Sequence, residues 1–223
     1  MSKRKLPDVK GDRPPVVLVD MDGTIADFDS RAYALMAARH PDVAMPVYKQ
    51  REFPLSRGLP AAQRPLLEVL FKEEGFFREM QPIEGAVAAL NEMVAAGIDV
   101  RLCSSPLSSS PCCVMEKVEW AVAHLGKSWV DRIILTRDKT LVRGDILLDD
   151  APQAKSSSLE PMWEHVYFDQ PCNRSGASDA DPSRRRLVAW KDWGARCRCT
   201  GQHAGAHLRV RRRVHNSHYY SCS

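Results

Sequence analysis

VVLVDMDGTIADF, residues 16–28, sets an unbroken β-branched and aliphatic run directly before Asp20, Met21, Asp22 and Gly23. Such a run marks a strand buried on both faces, as in a parallel sheet covered by helices. The Asp-Met-Asp-Gly that follows has two readings. Acidic residues and glycine are common turn formers and can simply close the strand. Alternate residues of an extended backbone also point to opposite sides, so Asp20 and Asp22 can carry carboxylates to two different places. The rest of the chain decides between these readings.

Outward from that strand, residues 26–39 carry apolar side chains at helical spacing (Phe28, Tyr33, Leu35, Met36) up to His40-Pro41. Residues 41–81 differ. They hold short helical pieces such as 61–74 and clusters of proline and aromatics, with no convincing strand, so 31–81 reads as a small helical insertion. From Pro82 the pattern is regular: a helix over 85–96 closed by Gly97, a strand over 98–103, a loop to Pro111, and a helix through His124. Strands follow at 132–135, 145–148 and 165–168, then a final short helix over 184–193. This alternation predicts an α/β fold, a doubly wound parallel sheet built from 16–30 and 82–193, with the helical segment inserted after the first strand. Residues 1–15 read as a disordered lead-in, and 194–223, with almost no aliphatic content, as a disordered basic tail.

The 223 residues suffice for one substantial core. Their formal charge of +4 misleads, because residues 194–223 hold six arginines and no acid. The lead-in has five basic and two acidic residues, which leaves 16–193 near −5. A body of that sign offers no basic face to a nucleic acid polymer, and it can bind an anion only through a metal or fixed donors. No window has the uncharged apolar length of a membrane helix, and the N-terminus lacks a signal peptide's apolar core. A cytoplasmic location follows, and seven scattered cysteines, an odd number, read as reduced thiols. Cys197, Cys199, His203 and His207 are spaced too closely for the usual zinc finger and have no aliphatic core around them. The three arginines at 184–186 read as a solvated helix start.

Ligands of an open parallel sheet bind beyond the carboxyl ends of its strands. Three predicted strands end in polar groups: Asp20-Met21-Asp22, Ser104-Ser105-Pro106 and Asp149-Asp150, with Lys139 just upstream of the third. Carboxylates gathered there repel one another, and a hard divalent cation relieves the repulsion. A lysine and a hydroxyl complete a cradle for a phosphate dianion. Phosphoryl transfer needs such parts: an in-line nucleophile, a proton donor and charge neutralisation.

DMDGT, followed by a serine, a lysine and a paired aspartate, resembles the haloacid dehalogenase superfamily of aspartate-nucleophile phosphohydrolases. LVDMDGTIADF, EGFFREMQPIEGA, CSSPL, EKVEWAVAHLG, RIILTRDKT, GDILLDD and WEHVYF further resemble the 5′(3′)-deoxyribonucleotidases, in that family's order, from about residue 16 to 193. The resemblance implies Asp20 as nucleophile and Asp22 as general acid and then base. It implies Mg²⁺ held by Asp20, the Asp22 carbonyl and Asp150, with Asp149 in support, and phosphate bound by Lys139 and Ser104. Threonine is usual at the Ser104 position; serine keeps the hydroxyl. The 31–81 segment becomes a cap whose Phe28, Phe53 and Phe71 hold the nucleobase. The implied substrates are deoxyribonucleoside monophosphates, 5′ and 2′/3′, with dUMP and dTMP preferred. Because family members are often dimers, a homodimer is implied too. Two other readings stay open: a related phosphatase for another small phosphate ester, and a catalytically weakened interaction protein acting through its tail.

Overall fold

The computed structural model describes residues 13–50, 52–152, 160–174 and 185–196. The lead-in up to residue 12 and the tail from 197, with its Cys/His group, lie outside the described residues.

A six-stranded, wholly parallel sheet organises the chain: β1 (Val16–Val19), β2 (Asp99–Ser104), β3 (Ile133–Leu135), β4 (Ile146–Asp149), β5 (Glu164–Phe168) and β6 (Arg186–Leu187). Its order is β3-β2-β1-β4-β5-β6. The chain therefore builds outward on one side of β1, then returns to build outward on the other. This reversal opens a crevice at the carboxyl ends of β1 and β4, where open α/β sheets bind ligands. Val19 pairs with both Leu102 and Leu148, which brings the ends of β1, β2 and β4 level.

Helix α1 (Phe28–Arg39) follows β1, with Asp27 capping its start by accepting from the Ser30 backbone N–H at 3.1 Å. Helix α2 (Arg64–Leu70) is shorter than the helix predicted over 61–74. Proline occupies its first turn, a position that starts a helix rather than continues one. Beyond Leu70 the chain runs through successive turns as far as Glu79, with Gly75 at φ +88°. Among the described residues, 40–85 contribute no strand to the sheet. Both ends of this segment return to one place. The Asp27 N–H donates to the Gln81 carbonyl and the Ile83 N–H to the Ile25 carbonyl, each at 2.8 Å, around an antiparallel bridge between Ala26 and Pro82.

Helix α3 (Ala86–Ala95) is closed by Gly97 at φ +81°, as its sequence predicts, and α4 (Cys113–Leu125) follows β2. Val19, Val100 and Leu102 are fully buried, and their core runs on through Met36, Leu67 and Phe76 of the helical segment. Leu18 belongs to a smaller cluster with Cys103, Leu147 and Trp163. Cys103, Cys112 and Cys113 are free thiols.

One predicted element is overturned. The described part of 184–193 is not a helix: 186–187 are the edge strand β6, and 190–192 a single 3₁₀ turn before α5 (Trp193–Arg196). Nor do the two described arginines start a solvated helix. Arg186 donates to the Asp169 carboxylate at 2.9 Å and to the Asn173 carbonyl at 2.8 Å, while Arg185 reaches Glu164 at 3.4 Å. Pairing with β5 and the burial of Leu187 and Trp190 override the local helical preference.

Candidate active site

The carboxyl ends of β1, β2 and β4 form the floor of a cavity of about 350 Å³. Asp20, Asp22, Ser104, Lys139, Asp149 and Asp150 all line it, as do Phe28, Phe53 and Phe71. Every site residue singled out in the sequence is thus brought to one place.

Asp20 continues β1, its N–H donating to the Leu148 carbonyl at 2.9 Å. Gly23 then turns the chain at φ +74°, and its N–H closes the turn on the Ala26 carbonyl at 2.9 Å. A Cβ at this position would stand 2.5 Å from Asp150 Oδ2, so both conformation and space require glycine. The Thr24 hydroxyl accepts from the Asp150 N–H at 3.1 Å, and the Asn173 amide donates to the Asp150 carbonyl at 2.8 Å. These bonds tie the β1 turn to the end of β4.

Lys139 is the centre of charge on the floor. Its Nζ lies 2.6 Å from Asp20 Oδ1 and 2.7 Å from Asp149 Oδ2. Burial pulls this ammonium down, but Asp20 and Asp149 outweigh it and hold the group above its ordinary value. Burial pushes the Asp149 carboxyl up to about 6, against the pull of Lys139. An ammonium has three donors, and these two contacts engage two of them.

Asp20, Asp149 and Asp150 are buried and offer carboxylate oxygens that all lie within 4.8 Å of one another. One lysine cannot neutralise three carboxylates. An all-oxygen donor set with excess negative charge suits Mg²⁺, which takes a few carboxylates and completes its shell with water and phosphate.

Asp22 faces a different partner, which sequence reasoning missed. Lys117 of α4 is fully buried, with Nζ 2.5 Å from Asp22 Oδ1 and 3.1 Å from Ser104 Oγ. Burial pushes the Asp22 carboxyl up, with Lys117 pulling the other way. Its side chain keeps 25% of its surface, opening onto the cavity. A signal for Lys117 was present: Cys113, Glu116, Lys117, Trp120 and Ala121 make the buried stripe of α4 at helical spacing, so two charges sit where apolar residues belong. Ser104 is buried and accepts from Lys117, while Asp149 also accepts from the Ala151 N–H at 2.9 Å.

Above the floor, the Phe28 and Phe71 rings lie 5.0 Å apart, and each also meets Phe76, at 5.3 and 5.0 Å. Phe53 is 37% exposed at the cavity rim. Phe77 is a further lining ring that the sequence reading omitted.

The fold is shared with solved structures of the haloacid dehalogenase-like class. A haloacid dehalogenase-family hydrolase from Deinococcus radiodurans, solved with phosphate and sodium, has a TM-score of 0.54 at 15% identity, covering 82% of this chain and 94% of its own. A Bacillus subtilis structure bound to magnesium has a TM-score of 0.51 at 14% identity, covering 81% and 96%. The family model described as 5′ nucleotidase, deoxy (pyrimidine), cytosolic type C matches residues 14–192. The human cytosolic-type 5′(3′)-deoxyribonucleotidase is 40% identical over 181 residues, 79% of this chain and 89% of that protein. The human mitochondrial one is 37% identical over 191 residues, 83% of each. The chain belongs to the 5′(3′)-deoxyribonucleotidase family.

Proposed function

We propose that this chain hydrolyses deoxyribonucleoside monophosphates, 5′ and 2′/3′, with dUMP and dTMP preferred, through an aspartyl-phosphate on Asp20. The observation that carries this reading is the single cavity joining Asp20 and Asp22 to the Asp149–Asp150–Lys139 group beneath Phe28 and Phe71. Lys139 and Ser104 bind the phosphate, and the aromatic rings take the base.

The Asp20 carboxylate attacks phosphorus in line, and the bond to the departing nucleoside oxygen breaks as Asp22 gives that oxygen its proton. A raised Asp22 carboxyl favours the protonated starting form. Asp22, now ionised beside Lys117, takes a proton from water. The water oxygen bonds to phosphorus, the Asp20–phosphorus bond breaks, and inorganic phosphate leaves. Asp20, the Asp22 backbone carbonyl and Asp150, supported by Asp149, would hold Mg²⁺, which neutralises charge on the transferring phosphoryl group.

The test is turnover of dUMP, dTMP, UMP and a sugar phosphate, with and without Mg²⁺, by wild type and Asp20→Asn. Loss of the nucleophile lowers kcat by roughly 10⁴-fold or more. Full activity in Asp20→Asn refutes the mechanism, and preference for the sugar phosphate refutes the substrate. No described helix is long and apolar enough to cross a membrane, and the named human relatives are cytosolic and mitochondrial, in keeping with action on free nucleotides. A homodimer is the expected assembly, readable by light scattering.

A further inference from the structure

Glu116 and Lys117 are consecutive residues of α4, both buried, and about 100° of helix rotation sends them to different places. Lys117 turns to Asp22 and Ser104. Glu116 turns to the backbone that follows α2. Its Oε1 accepts from the Gly75 N–H at 2.5 Å, and its Oε2 from the Phe77 N–H at 2.9 Å and the Arg78 N–H at 3.3 Å. One helical turn on, Trp120 donates to the Met80 carbonyl at 2.8 Å, so α4 grips this turn twice. The Phe77 ring so placed lines the cavity on one side and lies under the Lys117 ammonium, 5.2 Å from its centroid, on the other.

A buried carboxylate that commits both oxygens to backbone N–H groups fixes a loop more tightly than apolar packing does. Apolar contacts slide at little cost, whereas moving this turn would leave a buried charge and three donors without partners.

We propose that Glu116 is a positioning residue for nucleotide binding. It clamps the turn at 75–78 and thereby holds Phe77 as the wall between the nucleoside part of the cavity and the Lys117–Asp22 pair. This rests on the nucleotidase reading above. The clamp serves only substrates large enough to reach Phe77; a small phosphate ester bound at the acidic floor does not need it.

Glu116→Gln tests this, because the isosteric amide keeps one acceptor and turns an NH₂ toward a backbone N–H. Steady-state constants are measured for dUMP and for acetyl phosphate, which has no base, in wild type, Glu116→Gln, Phe77→Ala and the double variant. Glu116→Gln raises KM for dUMP roughly tenfold, the worth of one charge-assisted hydrogen bond, and leaves both constants for acetyl phosphate essentially unchanged. Phe77→Ala raises the dUMP KM likewise, and combining the two adds little, since both act on one wall. Parallel losses on both substrates, additive effects on dUMP, or an unchanged dUMP KM overturn the proposal. Should Glu116→Gln not fold, Glu116→Asp, which keeps the charge and shortens its reach, is held to the same criteria. Wild type inactive on dUMP refutes the nucleotidase reading itself; with wild type active on dUMP, a silent Glu116→Gln refutes only the clamp.

Discussion

On the floor of the cavity, Lys139 joins Asp20 to Asp149, Lys117 joins Asp22 to Ser104, and Thr24 and Asn173 hold the backbone of Asp150. On the wall, Phe28 and Phe71 hold each other and Phe76 behind them through ring contacts of 5.0–5.3 Å. Directional bonds between buried charges admit one arrangement and fail together. Ring packing is non-directional, so it yields gradually. Chemistry in this enzyme should therefore be brittle to single substitutions, and substrate choice graded.

The hardest blow to that contrast is aimed at the floor. Lys117→Met removes the partner of Asp22 and the donor to Ser104 at nearly constant length. It should lower kcat on dUMP roughly a hundredfold, the scale of a general acid–base contribution, and lower that on acetyl phosphate less, since this leaving group needs no proton while Asp22 still has water to activate. Equal losses on both would show that Lys117 supports the floor as a whole. Less severe is Phe71→Ala, which takes a ring from the wall: KM for dUMP should rise roughly tenfold, as for one lost stacking contact, with kcat little changed. A collapse of kcat would mean that wall and floor are not separable. The smallest effect concerns a hydrogen bond that joins the two. The Tyr48 hydroxyl donates to Gln170 Oε1 at 2.9 Å, and the Gln170 amide donates to the Gly23 carbonyl at 2.8 Å. Tyr48→Phe should change dUMP constants by about threefold or less, in line with a single neutral hydrogen bond.

The same contrast decides what could be read from sequence. β1 and β4 are apolar runs and β2 alternates, and their register follows from parallel pairing, so the sequence alone placed the residues just beyond them together. Phe28 and Phe71 were legible through their flanking motifs, and both line the cavity. Lys117 was missed although it falls on the periodic stripe of α4, because a charged pair there looks like the edge of the polar face until the burial is known. β6 was missed because two residues carry no periodicity, and Arg185 and Arg186 find their carboxylates only in the folded sheet. Gln170 and Tyr48 meet across 122 residues of chain, and nothing local to either announces the other.

The bridge between Ala26 and Pro82, with its flanking bonds at Asp27 and Ile83, has a consequence for how such enzymes diversify. The chain between those positions leaves and rejoins at this one stem and meets the rest of the molecule again through contacts such as Glu116 with Gly75 and Tyr48 with Gln170, while the acids are set by strand register outside it. Changes of length away from those contacts should leave Asp20, Asp149 and Asp150 in place. The stem thus sets apart the residues proposed for the reaction from most of those proposed to choose the ester.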